Sequence, residues 1–149
     1  MRKPTRKIVV LLVSLVLTGV IMRLLSPPAK LDVRFLYSVA EAHEFFASLT
    51  PHQWEKYFWG EVADLWFLAN YSWLFLLWAR FLQWGKLSHL TLATGIMDLG
   101  ETLLILLYLY GHSVWVEGLT WFSTIKWCCA FLTLATLGVF SFRRKSTFA

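Results

Sequence analysis

The sequence predicts an all-α membrane protein, a four-helix transmembrane bundle with a short amphipathic outer-loop helix. Three observations carry that prediction. Hydrophobic residues make up 58% of the 149 positions and charged residues only 15%, where a soluble domain carries about 25% charged. Four apolar runs are long enough to cross a bilayer. The few ionisable residues inside the second, third and fourth runs recur at helical spacing, so one face of each of those three is polar. The length fits one domain, a single four-span membrane domain over 1–149. Its spans are expected at about 8–25, 61–84, 89–111 and 119–142, with an outer loop over 26–60.

Charge placement accounts for the formal net charge of +5. Arg2, Lys3, Arg6, Lys7, then Arg80 and Lys86, then Arg143, Arg144 and Lys145 cluster at the two ends and in one short link, with no acid among them. Five acids, Asp32, Glu41, Glu44, Glu55 and Glu61, lie in the long loop, Asp64 follows at the next span, and Glu117 is in the last loop. The positive-inside rule then predicts both termini in the cytoplasm and the acidic loops outside. Topology explains the basic residues, and no nucleic-acid partner is expected. The bilayer is the expected partner, and oligomeric state is not readable.

Ile8 to Leu25 follows a basic head. It is long for a signal-peptide core, and Ser26-Pro27-Pro28 follows it rather than a small-residue cleavage site, so it reads as the first span. Ser38-Val-Ala-Glu41 and Thr50-Pro51-His-Gln53 are capping boxes, the second with Pro at the first helical position. Between them a short helix places Val39, Ala42, Phe46 and Leu49 on one side, to lie on the outer membrane surface or cap the bundle. Trp54, Tyr57, Phe58 and Trp59 read as an interfacial aromatic belt.

The second span carries the stripe Glu61, Asp64, Leu68, Tyr71, Phe75, Trp78. Gly85-Lys86-Leu87-Ser88 reads as a tight turn, and so short a link makes the second and third spans antiparallel neighbours. The third span carries Thr91, Thr94, Asp98, Glu101, Ile105, Tyr108, His112. The fourth carries Leu119, Ser123, Lys126, Ala130, Thr133, Leu137, Ser141. Counting 1.5 Å per residue from the outer ends places Glu101 roughly 15 Å deep and Lys126 about 12 Å deep. An ion pair between them is expected, because an unpaired lysine at helix centre costs about 3 kcal/mol. Asp98 lies one turn deeper on the face of Glu101. One lysine against Asp64, Asp98 and Glu101 leaves negative charge for a proton, a cation or a ligand to balance.

Metal and redox chemistry find no support in the spacing. His43, His52 and His112 gather on the outer side near Glu41 and Glu44 but match no metal-ligand motif, and no cofactor motif is present. Cys128 and Cys129 are adjacent, without the C-x-x-C spacing of thiol–disulfide exchange, and read as packing residues.

The order Phe35-Leu36-Tyr37-Ser38 with Glu41, Tyr57, Asp64, Asp98-Leu99-Gly100-Glu101 and Lys126-Trp127 resembles a family of small four-span integral membrane proteins without an established activity. That family has an Asp in helix two, a D-x-x-E-N core in helix three and a Lys-aromatic pair in helix four. The resemblance covers about Leu31 to Phe140. It implies the same four-span fold and an intramembrane polar site, and no substrate. Thr102 stands where the pattern usually has Asn, which removes one amide from the core.

Function is therefore read from an intramembrane polar pocket, outward-facing, formed by Asp64, Tyr71, Asp98, Glu101, Tyr108 and Lys126. The leading expectation is binding or movement of a small polar or cationic ligand or a lipid headgroup. An intramembrane enzyme on a lipid-type substrate is the first alternative, with Asp98 or Glu101 as general acid/base, although no nucleophile–base pair or phosphate cradle accompanies them. A structural or accessory subunit, its charges locking helices together, is the second.

Overall fold

A computed structural model describes residues 6–25, 30, 31, 34, 36–81, 85–112 and 115–146. The basic head at Arg2 and Lys3, the Ser26-Pro27-Pro28 stop, Asp32, and the end of the second span over 82–84 lie outside the described residues. Five helices follow in order: α1 Arg6–Leu25, α2 Val39–Ser48, α3 Pro51–Phe81, α4 Gly85–Leu109 and α5 Val116–Ser146. Four of them, all but α2, are long and apolar enough to cross a membrane. This is an all-α bundle compatible with a multi-pass integral membrane protein.

The helix starts follow the local signals. Ser38 accepts from the Glu41 backbone while the Glu41 carboxylate accepts from the Ser38 backbone, which completes the first capping box. Thr50 and Gln53 do the same at the head of α3, at 3.3 and 2.9 Å. With Pro51 preset for a first turn and no breaker behind it, α3 runs unbroken from Pro51, ten residues ahead of the span expected from Glu61. Likewise the Gly85–Ser88 stretch expected as a turn is the first turn of α4. At the other end of α4, Gly111 has φ +91°. Its N–H donates to Tyr108 while that of His112 reaches back to Leu107. This is a Schellman cap, in which glycine is needed for the backbone angle.

Packing runs in chain order, α1 on α3, α3 on α4, α4 on α5, with α2 laid against α5. The α4–α5 register is read from side chains in step: the Gly100 backbone lies against the Phe122 ring, Glu101 meets Lys126 and Thr94 meets Thr133 at 3.2 Å. Only 6% of the α1 window is buried against 33% of the α4 window, so α4 is central and α1 peripheral. On α1, the Thr18 hydroxyl returns to the Ser14 carbonyl at 2.8 Å, and Trp66 of α3 donates to the Ser14 hydroxyl at 3.1 Å. Leu17, Val16, Leu24 and their neighbours stay exposed, the outward apolar surface a bilayer would cover.

Two apolar clusters bracket the bundle lengthwise. At the α2 end Leu31, Phe45, Phe46, Tyr57, Ile105 and Leu119 pack together; at the other end Ala79 and Leu137 pack with Phe75 and Leu90. The aromatic residues expected as an interfacial belt divide here. Trp59 is exposed, whereas Tyr57 is fully buried and Trp54 donates to the Leu109 carbonyl at 2.8 Å. Phe45 and Phe46 of α2 supply the apolar partners that draw them inward, with ring centroids 5.5 Å from Phe45 to Tyr57.

Candidate functional site

Between those two apolar clusters lies a polar layer, and its residues come from the inward stripes of α3, α4 and α5. Lys126 lies 3.2 Å from Asp98 Oδ1 and also pairs with Glu101 Oε2. The expected Glu101–Lys126 pair is thus present, and the lysine bridges two carboxylates one helical turn apart. Tyr71 donates to Asp98 Oδ2 at 2.5 Å. Its ring is held between Phe67 and Phe75, one turn to either side, with centroids 5.8 and 5.6 Å away. Thr102 donates to Asp64 Oδ2 at 3.1 Å.

The connection ahead of α2 adds groups that the helical stripes do not reveal. Tyr37 is buried and donates to Glu101 Oε1 at 2.8 Å, with the Leu119 carbonyl at 3.2 Å. Lys30, equally buried, donates to Glu61 at 2.8 Å, in an ion pair with both side chains at most 6% exposed. Its ammonium also lies 5.6 Å from the Tyr57 ring centroid. Trp127 donates to the Arg34 carbonyl at 3.1 Å and holds its ring 5.5 Å from Lys126 Nζ. Lys30 had no signal in the sequence beyond its charge.

A cavity of about 250 Å³ opens onto this layer. Its polar lining is Asp64, Tyr71, Thr94, Asp98 and Lys126, and its apolar walls include Met22, Phe67, Phe75, Trp127 and Leu134. Four of the six residues expected to form the site line one cavity. Glu101 sits behind it, fully buried, joined through Lys126. Tyr108 is elsewhere: it stacks on Phe46 with centroids 4.1 Å apart, inside the α2-end cluster. On α4 it lies seven residues beyond Glu101, about 10 Å nearer the α2 end. The side of Glu101 that faces the α2 end is occupied by Tyr37.

Chemically the cavity lining offers the carboxylates of Asp64 and Asp98, the Lys126 ammonium and the hydroxyls of Tyr71 and Thr94 beside an aromatic wall. No group of three His, Cys, Asp or Glu residues arranged to hold a metal ion occurs among the described residues. Compared with protein-family models, with curated proteins and with solved structures, the chain matches none of them.

Proposed function

We propose that this is a multi-pass membrane protein, with the α2 end outside and both termini in the cytoplasm, whose cavity binds a small polar or cationic ligand or a lipid headgroup. The observation that carries the reading is that Asp98 and Lys126 line open space. A polar cluster that only joined helices would be closed over by its neighbours. Ionisable residues inside a span are kept at a cost and by default serve function. The orientation rests on the basic residues of the ends and of the α3–α4 link, opposite the acidic connection.

The test is native mass spectrometry of protein purified in mild detergent. A stoichiometric adduct on the wild type, absent from Asp98→Asn, is the expected result. An unliganded spectrum for both proteins, from several detergents, overturns the reading.

A further inference from the structure

We infer that the seating of helix α2 is coupled to the charge on Asp98 in the cavity, through a chain of contacts that ends on the Tyr37 hydroxyl. The coupling is a property of the protein alone and does not depend on what the cavity binds.

The contacts lie end to end. Tyr71 donates to Asp98 Oδ2 at 2.5 Å, and Asp98 Oδ1 lies 3.2 Å from the Lys126 ammonium. Lys126 also pairs with Glu101 Oε2, and Glu101 Oε1 accepts from Tyr37 at 2.8 Å. Tyr71, Asp98 and Lys126 line the cavity. Tyr37 is buried, and the residue after it, Ser38, is the N-cap of α2.

The inner members of the chain are shared, and sharing fixes the sign of the coupling. Lys126 divides its attraction between two carboxylates, and Glu101 divides its negative charge between the ammonium and the phenol. A carboxylate more fully met by an ammonium draws a phenol less strongly. When the charge of Asp98 is removed, Lys126 settles on Glu101 and the Tyr37 bond weakens. When Asp98 loses only its bond from Tyr71, its pull on Lys126 grows and the Tyr37 bond tightens.

Helix α2 is the element built to answer such a change. It has ten residues, too few to be stable alone. Its buried face is Ala42, Phe45 and Phe46, and an element with so small a buried face opens locally at low cost. A second tie runs the same way. Trp127, a wall of the cavity, donates to the Arg34 carbonyl at 3.1 Å, and the Arg34 guanidinium lies 5.6 Å from the Phe45 ring centroid.

The experiment follows α2 by thiol accessibility in the purified full chain in mild detergent. With Cys128 and Cys129 replaced by alanine, Ala42→Cys puts one thiol on the buried face of α2. Its rate of reaction with a water-soluble maleimide reads how often the helix lifts. Asp98→Asn should speed the reaction by about two- to thirtyfold, whereas Tyr71→Phe should slow it by about twofold or more. Tyr37→Phe should speed it, and in that background neither cavity substitution should change the rate further. Leu137→Ala, in the apolar cluster at the other end, should leave the rate unchanged. Opposite shifts from the two partners of one hydrogen bond do not arise from general loss of stability. If Asp98→Asn does not fold, Tyr71→Phe with and without Tyr37→Phe carries the test, and amide exchange of α2 without the added cysteine should give the same order. An unchanged rate in Asp98→Asn, acceleration by both cavity substitutions, or an undiminished effect in the Tyr37→Phe background would each overturn the coupling. The adduct spectrum decides the binding reading separately.

Discussion

The phenol of Tyr37 donates to Glu101 Oε1 across 2.8 Å, joining the connection ahead of α2 to the middle of α4. It also reaches a carbonyl in the first turn of α5, that of Leu119, at 3.2 Å. One hydroxyl thus ties three segments at the boundary between the apolar cap and the polar layer.

Tyr37→Phe keeps the ring and removes that hydroxyl. Leaving a buried carboxylate and a carbonyl short of a donor costs about 1–3 kcal/mol. Tm in detergent should fall accordingly, and an unchanged Tm would mean the bond contributes nothing.

Glu101→Gln and Lys126→Met should both destabilise, by about 3–5 kcal/mol for a buried pair broken from one side. Lys126→Met should be the worse, because it strands Asp98 as well as Glu101. The double variant should recover part of the loss in a thermal-unfolding cycle. Strict additivity would show that the two residues do not interact.

Two glycines should respond oppositely to alanine. At Gly100 a Cβ would overlap the Phe122 ring, whereas at Gly138 it would meet nothing within 4 Å. Gly100→Ala should cost about 1–3 kcal/mol, and Phe122→Leu should relieve part of it. Gly138→Ala should sit within about 1 kcal/mol of wild type, on the stabilising side. Parallel unfolding curves check both.

The capping box of α2 makes a pH prediction. The Ser38 backbone N–H, then its hydroxyl, hold the Glu41 carboxyl below its ordinary 4.5. A lowered folded pKa stabilises α2 fully above about 4.5 and loses that contribution as pH falls through the lowered value. Carboxyl NMR should place the Glu41 midpoint below 4.5, and Ser38→Ala should move it part of the way back. A midpoint at 4.5 in both proteins would contradict the box.

The proposed orientation predicts labelling from opposite sides. With Cys128 and Cys129 replaced, His43→Cys should react with an impermeant maleimide on intact cells, and Arg80→Cys only after the membrane is opened. The reverse pattern would invert the topology.

How far the sequence reaches can be seen residue by residue. The apolar runs and two capping boxes are local signals, so the helices and the starts of α2 and α3 were legible, whereas α4 begins within the expected turn. Lys126 opposite Glu101 was legible too, because a short link fixes α4 and α5 as neighbours and rise per residue fixes depth. Tyr108 shares the inward stripe of Glu101, but periodicity gives a face and not a layer, and two turns put it in the aromatic cap. Lys30 was not legible at all. Its partner Glu61 is 31 residues on, and the path of an irregular connection between them leaves no periodic trace.

Chain order has a consequence for synthesis. Tyr37 waits 82 residues for the Leu119 carbonyl, and the Arg34 carbonyl waits 93 for the Trp127 indole. During translation the connection ahead of α2 therefore emerges long before its anchors exist, apart from Glu61. Helix α5 brings the lysine, the indole wall and those anchors together. A nascent chain halted before α5 would hold Asp98 and Glu101 without Lys126, a natural substrate for membrane quality control.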